Sequence, residues 1–311
     1  MKKNSIKPYL NFLDKDTLLH LRIPFSFYLL PIFCFALSQA CPVHLGNTLL
    51  VFMALHLFIY PASNVYNSYM DKDEGSIGGL EHPPVATIKL FYASILFDLL
   101  GLLTGAFLHW KFVLILLLYI SVSKAYSWHK IRLKKYAIVS WLVVVIFQGG
   151  YTFMLVHMAI SNNFTTNWFN KQHILACLIA SLQIGGFYPL TQIYQHQEDT
   201  RRGDRTISSV LGYQGTFIFS GLFFTASCIA FFFYFKTYAT LYYFGIYLLV
   251  LLPLLAYFIN WFYKVTHDPT QANFKNAMRM NQVAALCMLT FFSILIFLRI
   301  LLFLRCAHPL D

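Results

Sequence analysis

The chain has 311 residues, of which 58% are hydrophobic and 18% aromatic, while only 11% are charged, less than half the charged share of a typical soluble domain. That excludes an ordinary soluble protein. The formal charge of +11 is spread between long apolar segments rather than gathered in one basic domain, so no nucleic acid is expected as a partner, and six cysteines without a CxxC or Cys/His cluster predict neither a disulfide framework nor a zinc or haem site.

A bilayer core needs about 20 mostly apolar residues per helix, whereas barrel strands are short and alternate. The runs here are long and apolar on every face. They predict nine helices, near 21–40, 46–70, 88–108, 111–127, 137–159, 173–198, 213–236, 239–262 and 281–304. The first run is read as a span and not a cleaved leader, because a long segment carrying Asp14 and Asp16 precedes it. The fold class expected is all-α: a polytopic membrane protein with nine transmembrane helices in a pseudo-twofold helical bundle. With the N-terminus in the cytoplasm, the inside loops hold Lys72, Lys89, Lys124, Lys130, Arg132, Lys134, Lys135, Arg201, Arg202, Arg205, Lys264, Lys275 and Arg279. The other side holds Lys111, Lys171, Lys236 and Arg305. The positive-inside rule then turns the ends of the second and sixth helices to the cytoplasm and the C-terminus outside.

Taken in chain order, the second helix ends on acid: Asp71, Asp73 and Glu74, with Glu81 beyond. The third carries Asp98 inside its apolar run, where an acid costs roughly 3 kcal/mol at bilayer centre. Two roles for it stand equal, a contact to an acceptor molecule or a pairing with another helix. The fourth helix runs into a basic loop, Tyr126-Ser127-Trp128-His129-Lys130-Ile131-Arg132-Leu133-Lys134-Lys135. The sixth ends on Glu198, Asp199 and Asp204. Polar residues 267–281 precede the ninth helix and are read as a solvated connecting helix, with a lid over the mouth as the alternative. His56, Gln148 and Gln183 are read as helix–helix contacts.

The two acidic stretches are copies of one pattern. Tyr60 to Gly75 aligns with Tyr188 to Gly203, 128 residues downstream, with five identities and four close substitutions, giving Y-P-x-S/T-N/Q-V/I-Y-N/Q-x-x-x-D-x-x-x-G. The copies are four helices apart, an even number of spans, so both reach the same membrane face. Repeat units near 17–136 and 137–262 follow, with an extra helix at 281–304. On a continuous helix Asn64, Asn67 and Asp71 share a face, and the same spacing lines up Gln192, Gln195 and Asp199. Two such ridges offer carboxylate and amide oxygens, the donors that suit magnesium. Amides that merely tie helices together explain one ridge but not the same spacing twice. Magnesium is commonly held by few carboxylates together with phosphates, and the basic residues on the same rim favour an anionic ligand. No GxxxxGKS/T or GxGxxG loop is present, so the expected ligand is a diphosphate on a lipid tail and not a nucleotide.

At these residues the sequence resembles the UbiA-type intramembrane prenyltransferases. Asn67-Ser68-Tyr69-Met70-Asp71 resembles that family's N-D-x-x-D motif, and Gln195 to Asp199 with Gly203 and Thr206 resembles D-x-x-x-D-x-x-x-G-x-x-T. Tyr126-Ser127 with Arg132-Leu133-Lys134 resembles its Y-S...R-L-K loop. The likeness in organisation runs over roughly residues 17 to 304. It implies a single membrane-embedded prenyltransferase-like domain over 1–311 that uses Mg2+ to transfer a prenyl group from an allylic prenyl diphosphate to an aromatic or lipophilic acceptor among membrane lipid. Neutralising the leaving diphosphate yields an allylic cation that the acceptor attacks. Asp71 and Asp199 are the principal metal ligands and the catalytic residues on this reading, with Asn67, Asp73, Gln195 and Glu198 assisting as ligands. Lys130, Arg132 and Arg202 are the diphosphate partners. Three positions depart from the pattern: Ser68 and Gln195 replace aspartates, and Gly75 stands where a last aspartate is usual. The rivals are a transporter or ion-coupled carrier, to which a repeat is also natural, and a non-catalytic lipid-binding relative.

Overall fold

The computed structural model describes residues 13–72 and 74–307, with side chains through 301. Among these, nine helices are long and apolar enough to cross a membrane: α1 Lys15–Gln39, α2 Leu45–Asp71, α3 Ile88–Ala106, α4 Trp110–Ser127, α5 Ala137–Ser161, α6 Lys171–Arg202, α7 Ile207–Tyr238, α8 Leu241–His267 and α9 Phe274–Leu301. No strand forms among the described residues beyond one isolated antiparallel bridge, Ile77 to Leu80. The all-α class and the nine spans agree with the sequence expectation.

Three helix starts differ from it. α1 begins at Lys15 rather than 21, because Asp14 caps it, its Oδ1 accepting from Thr17 N at 2.9 Å. α7 begins at Ile207 rather than 213, because Thr206 caps the helix, its Oγ1 accepting from Ser209 N at 3.2 Å. Gly212 then leaves helical geometry at φ 68°, which only glycine adopts freely, and Thr216 Oγ1 donates to its carbonyl at 2.7 Å. α9 takes in residues 274–280, which the sequence reading assigned to a separate connecting helix. Asn273 Oδ1 accepts from Asn276 N at 3.0 Å, so the polar turns simply continue into the apolar run.

The described residues divide into two compact units, one holding those up to Phe27 with those of Leu49–Lys134, the other those of Tyr28–Thr48 and from Lys135 onward. In the first, Leu21, Val65, Leu90 and Ala93 form a core lined by Ile23, Tyr69, Ala86 and Phe97. Arg22 interrupts α1 in the left-handed region at φ 48°. Its guanidinium donates to the carbonyls of Gly78 at 3.0 Å and Asn64 at 2.9 Å, so the broken turn is fastened to α2 and to the loop beyond it.

In the second unit, Phe35 packs among Phe153, Phe292 and Phe231 with ring centroids 4.8, 5.0 and 5.5 Å away. α5 lies against α6 through Gly149 and Gly150: a Cβ on Gly149 would sit 2.6 Å from Ser181 Cα. Small residues permit that approach in lipid, where helices associate by packing rather than by hydrophobic drive.

The repeated proline has the same consequence in both copies. Residues Met53–Ile59 wind as a π-helix, in which Tyr60 N–H bonds back to Leu55 O. In that register Pro61 would address His56 O, but it has no N–H. Ser26 Oγ from α1 donates to that carbonyl instead, at 3.1 Å. In α6 Pro189 leaves the carbonyl four residues back, Gly185 O, without its partner, and Trp141 Nε1 from α5 donates to it at 3.1 Å. A bare carbonyl in lipid costs several kcal/mol, so each proline fixes a donor on the preceding odd-numbered partner helix.

Candidate active site

The first ridge is carried by Tyr60–Asp71, a continuous α-helix that holds Asn64, Asn67 and Asp71 on one face as expected. Its inner end turns to structure: Asn64 Nδ2 donates to Leu21 O at 3.3 Å. Asn67 Oδ1 accepts from Ser127 Oγ of α4 at 2.6 Å. Asp71 Oδ1 is paired with Lys134 Nζ, and the two side chains are only 3% and 12% exposed, so this carboxylate is nearly out of water and already faces a cation. Ser68 is buried and its hydroxyl finds no hydrogen-bond partner among the described residues. Lys72 ends the helix in the left-handed region, its N–H bonding to Ser68 O. Asp73, expected to assist in metal binding, lies outside the described residues.

The basic loop is folded to bring Lys134 back. After α4, the N–H groups of Ile131 and Arg132 both donate to Trp128 O, at 3.0 and 2.7 Å, and Arg132 takes a positive φ of 45°. The chain reverses within this turn. Lys130 is exposed with its Nζ 5.7 Å from the Trp128 ring centroid.

The second ridge departs from its expected geometry. α6 is α-helical to Gln192, tightens to a 3-10 turn over Ile193–Gln195, and resumes as α-helix over His196–Arg202. The spacing rule that aligns Gln192, Gln195 and Asp199 assumes one uniform pitch, and the tight turn resets it. Gln192 is buried, with no hydrogen-bond partner for its Oε1 among the described residues, and Gln195 stands at the junction with φ −100° and ψ 1°. The acids sit on the resumed helix. Glu198 pairs with Arg202 at 2.6 Å, and Asp199 Oδ2 accepts from Thr206 Oγ1 at 3.2 Å. Gly203 closes the helix at φ 71°, with Asp204 N donating to Asp199 O at 3.0 Å. The shared glycine therefore does different work in the two copies, since the left-handed cap of the first is Lys72 and not Gly75. Asp204 is itself buried, at 5% exposure.

In the first unit Asp71 and Asn67 offer a carboxylate and an amide oxygen, and in the second Asp199, Glu198 and Gln195 do the same; each set is of the donor type that suits a hard cation such as Mg2+. Among the described residues no three His, Cys, Asp or Glu side chains come together as a ready-made cage. Such a set suits an ion whose remaining ligands come from a phosphate.

The family model described as the UbiA prenyltransferase family matches residues 28–283. The chain belongs to this family. With its nine apolar helices it is an integral, multi-pass membrane protein, and solved structures share its fold. A UbiA homolog from Archaeoglobus fulgidus bound to GPP and Mg2+ superposes with a TM-score of 0.63 at 18% identity, over 91% of this chain and 99% of the other. The apo UbiA homolog from Aeropyrum pernix K1 gives 0.62 at 15% identity, over 89% and 98%. A digeranylgeranylglyceryl phosphate synthase structure gives 0.56 at 16% identity, over 91% and 98%. No curated protein matches the sequence.

In this UbiA family member the spacing of the motifs does not reveal the side chains that hold the oxygen donors. Ser127 holds Asn67, Lys134 holds Asp71, and Thr206 holds Asp199. Each belongs to a quoted motif, Y-S...R-L-K or G-x-x-T. Asp98 is the other clarification. It pairs with Lys124 Nζ of α4 at 2.7 Å, a contact of the helix-pairing kind.

Proposed function

We propose that this UbiA family protein transfers a prenyl group, with Mg2+, from an allylic prenyl diphosphate to an aromatic or lipophilic acceptor inside the membrane. The observation that carries the reading is the repeated acidic ridge, with Asp71 and Asp199 each ending a membrane span beside a side chain of its own unit that can neutralise or orient it. Homologs from Archaeoglobus fulgidus bound to GPP and Mg2+ and to DMAPP and Mg2+ support the same ligand class here.

Magnesium, when bound, supplies the positive charge that stabilises a leaving diphosphate. Asp71 and Asp199 are the principal ligands on this proposal, with Asn67, Asp73, Gln195 and Glu198 assisting. Lys130, Arg132 and Arg202 hold diphosphate oxygens, and the tight Trp128–Arg132 turn orients the first two. The amide at Gln195 keeps an oxygen donor but removes a full negative charge, so weaker metal binding than with an aspartate follows. Ser127 keeps the Asn67 oxygen turned in one direction. The two ridges belong to repeat units near 17–136 and 137–262, with the mouth and N-terminus cytoplasmic and the C-terminus outside by the distribution of lysine and arginine.

The test incubates purified protein with prenyl diphosphates of several lengths, Mg2+ and a lipid extract, followed by product mass spectrometry and a diphosphate-release assay. Asp71→Asn and Asp199→Asn each abolish release on this reading. A fully active double variant, or solute flux into vesicles without diphosphate release, overturns it.

A further inference from the structure

Lys124 and Asp98 form a largely buried ion pair between two membrane-spanning helices that the proposed chemistry does not use. Lys124 Nζ lies 2.7 Å from Asp98 Oδ2 of α3 and 4.2 Å from the ring centroid of Tyr66 of α2, and the two charged side chains are 22% and 13% exposed. The lysine is thus clamped from two helices at once, by a carboxylate on one side and an aromatic face on the other. Replacing a buried ion pair by well-packed apolar residues is often neutral or stabilising, so stability alone does not explain it. Its best-attested use is to fix register.

The register at stake is that of α4 along α2. Three further polar contacts join these elements in sequence: Ser63 Oγ to Ser123 Oγ at 2.6 Å, Ser127 Oγ to Asn67 Oδ1 at 2.6 Å, and Lys134 to Asp71 beyond the loop. Lys124 stands between the first two rungs, one turn before Ser127 and on its face. Between apolar helix faces in lipid a slip by one turn, about 5.4 Å, repacks similar surfaces. α3, which carries Asp98, is packed on α2 through Val65, Leu90 and Ala93, so the same slip of α4 leaves the Lys124 cation and the Asp98 carboxylate unpaired and takes Lys124 off the Tyr66 ring. The slip also removes Ser127 from Asn67 and carries Lys134 away from Asp71.

We infer that Lys124, Asp98 and Tyr66 are positioning residues: they lock α4 against α2 in the one register that holds Asn67 and Asp71 ready for a metal-bound diphosphate. The inference rests on the proposed function for its purpose, but its geometry can be tested without it.

The first measurement is cross-linking of S63C with S123C in a background free of other cysteines, which reads register directly. The cross-link is expected to form readily in the parent and to fall several-fold in K124M/D98L, the neutral pair that strands no charge. The second is the Mg2+ half-saturation for diphosphate release, expected to rise roughly tenfold in K124M/D98L with kcat altered far less, because ligand placement and not the reacting atoms is disturbed. A folded K124M/D98L protein with parental cross-linking and parental Mg2+ dependence overturns the inference. Should that double variant not fold, Y66L, which removes only the ring beneath the ammonium, is expected to lower cross-linking while Y66F does not. Equal cross-linking in Y66L, Y66F and parent then overturns it. A parent that releases no diphosphate from any prenyl substrate counts against the proposed function, and the cross-linking result still decides the register.

Discussion

Lys134→Met isolates the role of the cation that faces Asp71. The pair is nearly buried, and breaking a buried ion pair by removing one partner costs about 3–5 kcal/mol, because the remaining charge is left without compensation. Since Lys134 retains some exposure, the lower end, about 3 kcal/mol, is expected for the metal-free protein, corresponding to a fall of roughly 5 °C or more in melting temperature. Mg2+ reverses the sign of the argument. In the parent the ion must share Asp71 with an ammonium, whereas in K134M it meets an uncompensated carboxylate. If only about 1.4 kcal/mol of the lost attraction returns to the metal, its affinity rises about tenfold. Melting in detergent across a Mg2+ titration reads both effects: K134M starts lower than the parent and gains more from Mg2+, at a lower concentration. K134M that melts like the parent without Mg2+, or gains no more than the parent with it, refutes the reasoning.

Two further predictions concern the scaffold. Gly149→Ala puts a Cβ 2.6 Å from Ser181 Cα and 2.8 Å from Ser181 N, backbone atoms that cannot step aside, so α5 must back away from α6 and the melting temperature falls with a cost of about 1–3 kcal/mol; an unchanged melt counts against the close approach. Asp14 is held at a pKa of about 2, chiefly by the Lys89 ammonium at 2.6 Å and then by the Thr17 N–H, below its ordinary 3.8. A carboxylate depressed in the folded state adds stability above its unfolded pKa and loses it as the pH falls from about 4 towards 2. The melting difference between parent and Asp14→Asn is therefore largest above pH 5 and shrinks steeply as the pH falls towards 2, and a difference that does not change with pH sinks the assignment.

The first ridge was readable from spacing because Tyr60–Asp71 keeps one pitch, so residues three and seven apart do share a face. The second was readable as chemistry but not as geometry. Pro189 announces a disturbed helix, yet nothing in the spacing says that the pitch changes four residues later, over Ile193–Gln195. Arg22 is a comparable case, since its left-handed turn depends on carbonyls of Asn64 and Gly78 that are distant in the chain. Asp98 shows the limit most directly. Its cost in lipid marked it as exceptional, while its partner, on the next helix, is located only by the structure.

What the sequence determined by itself is what depends on composition and local order: nine spans, since hydrocarbon admits only long apolar helices, and a doubled motif of oxygen donors at two helix ends. The tertiary structure decided which of those oxygens are already engaged. Ser127 on Asn67, Lys134 on Asp71, Thr206 on Asp199 and Lys124 on Asp98 are all contacts between separate elements, and in a medium that leaves no polar group to water, the element packed alongside chooses each partner.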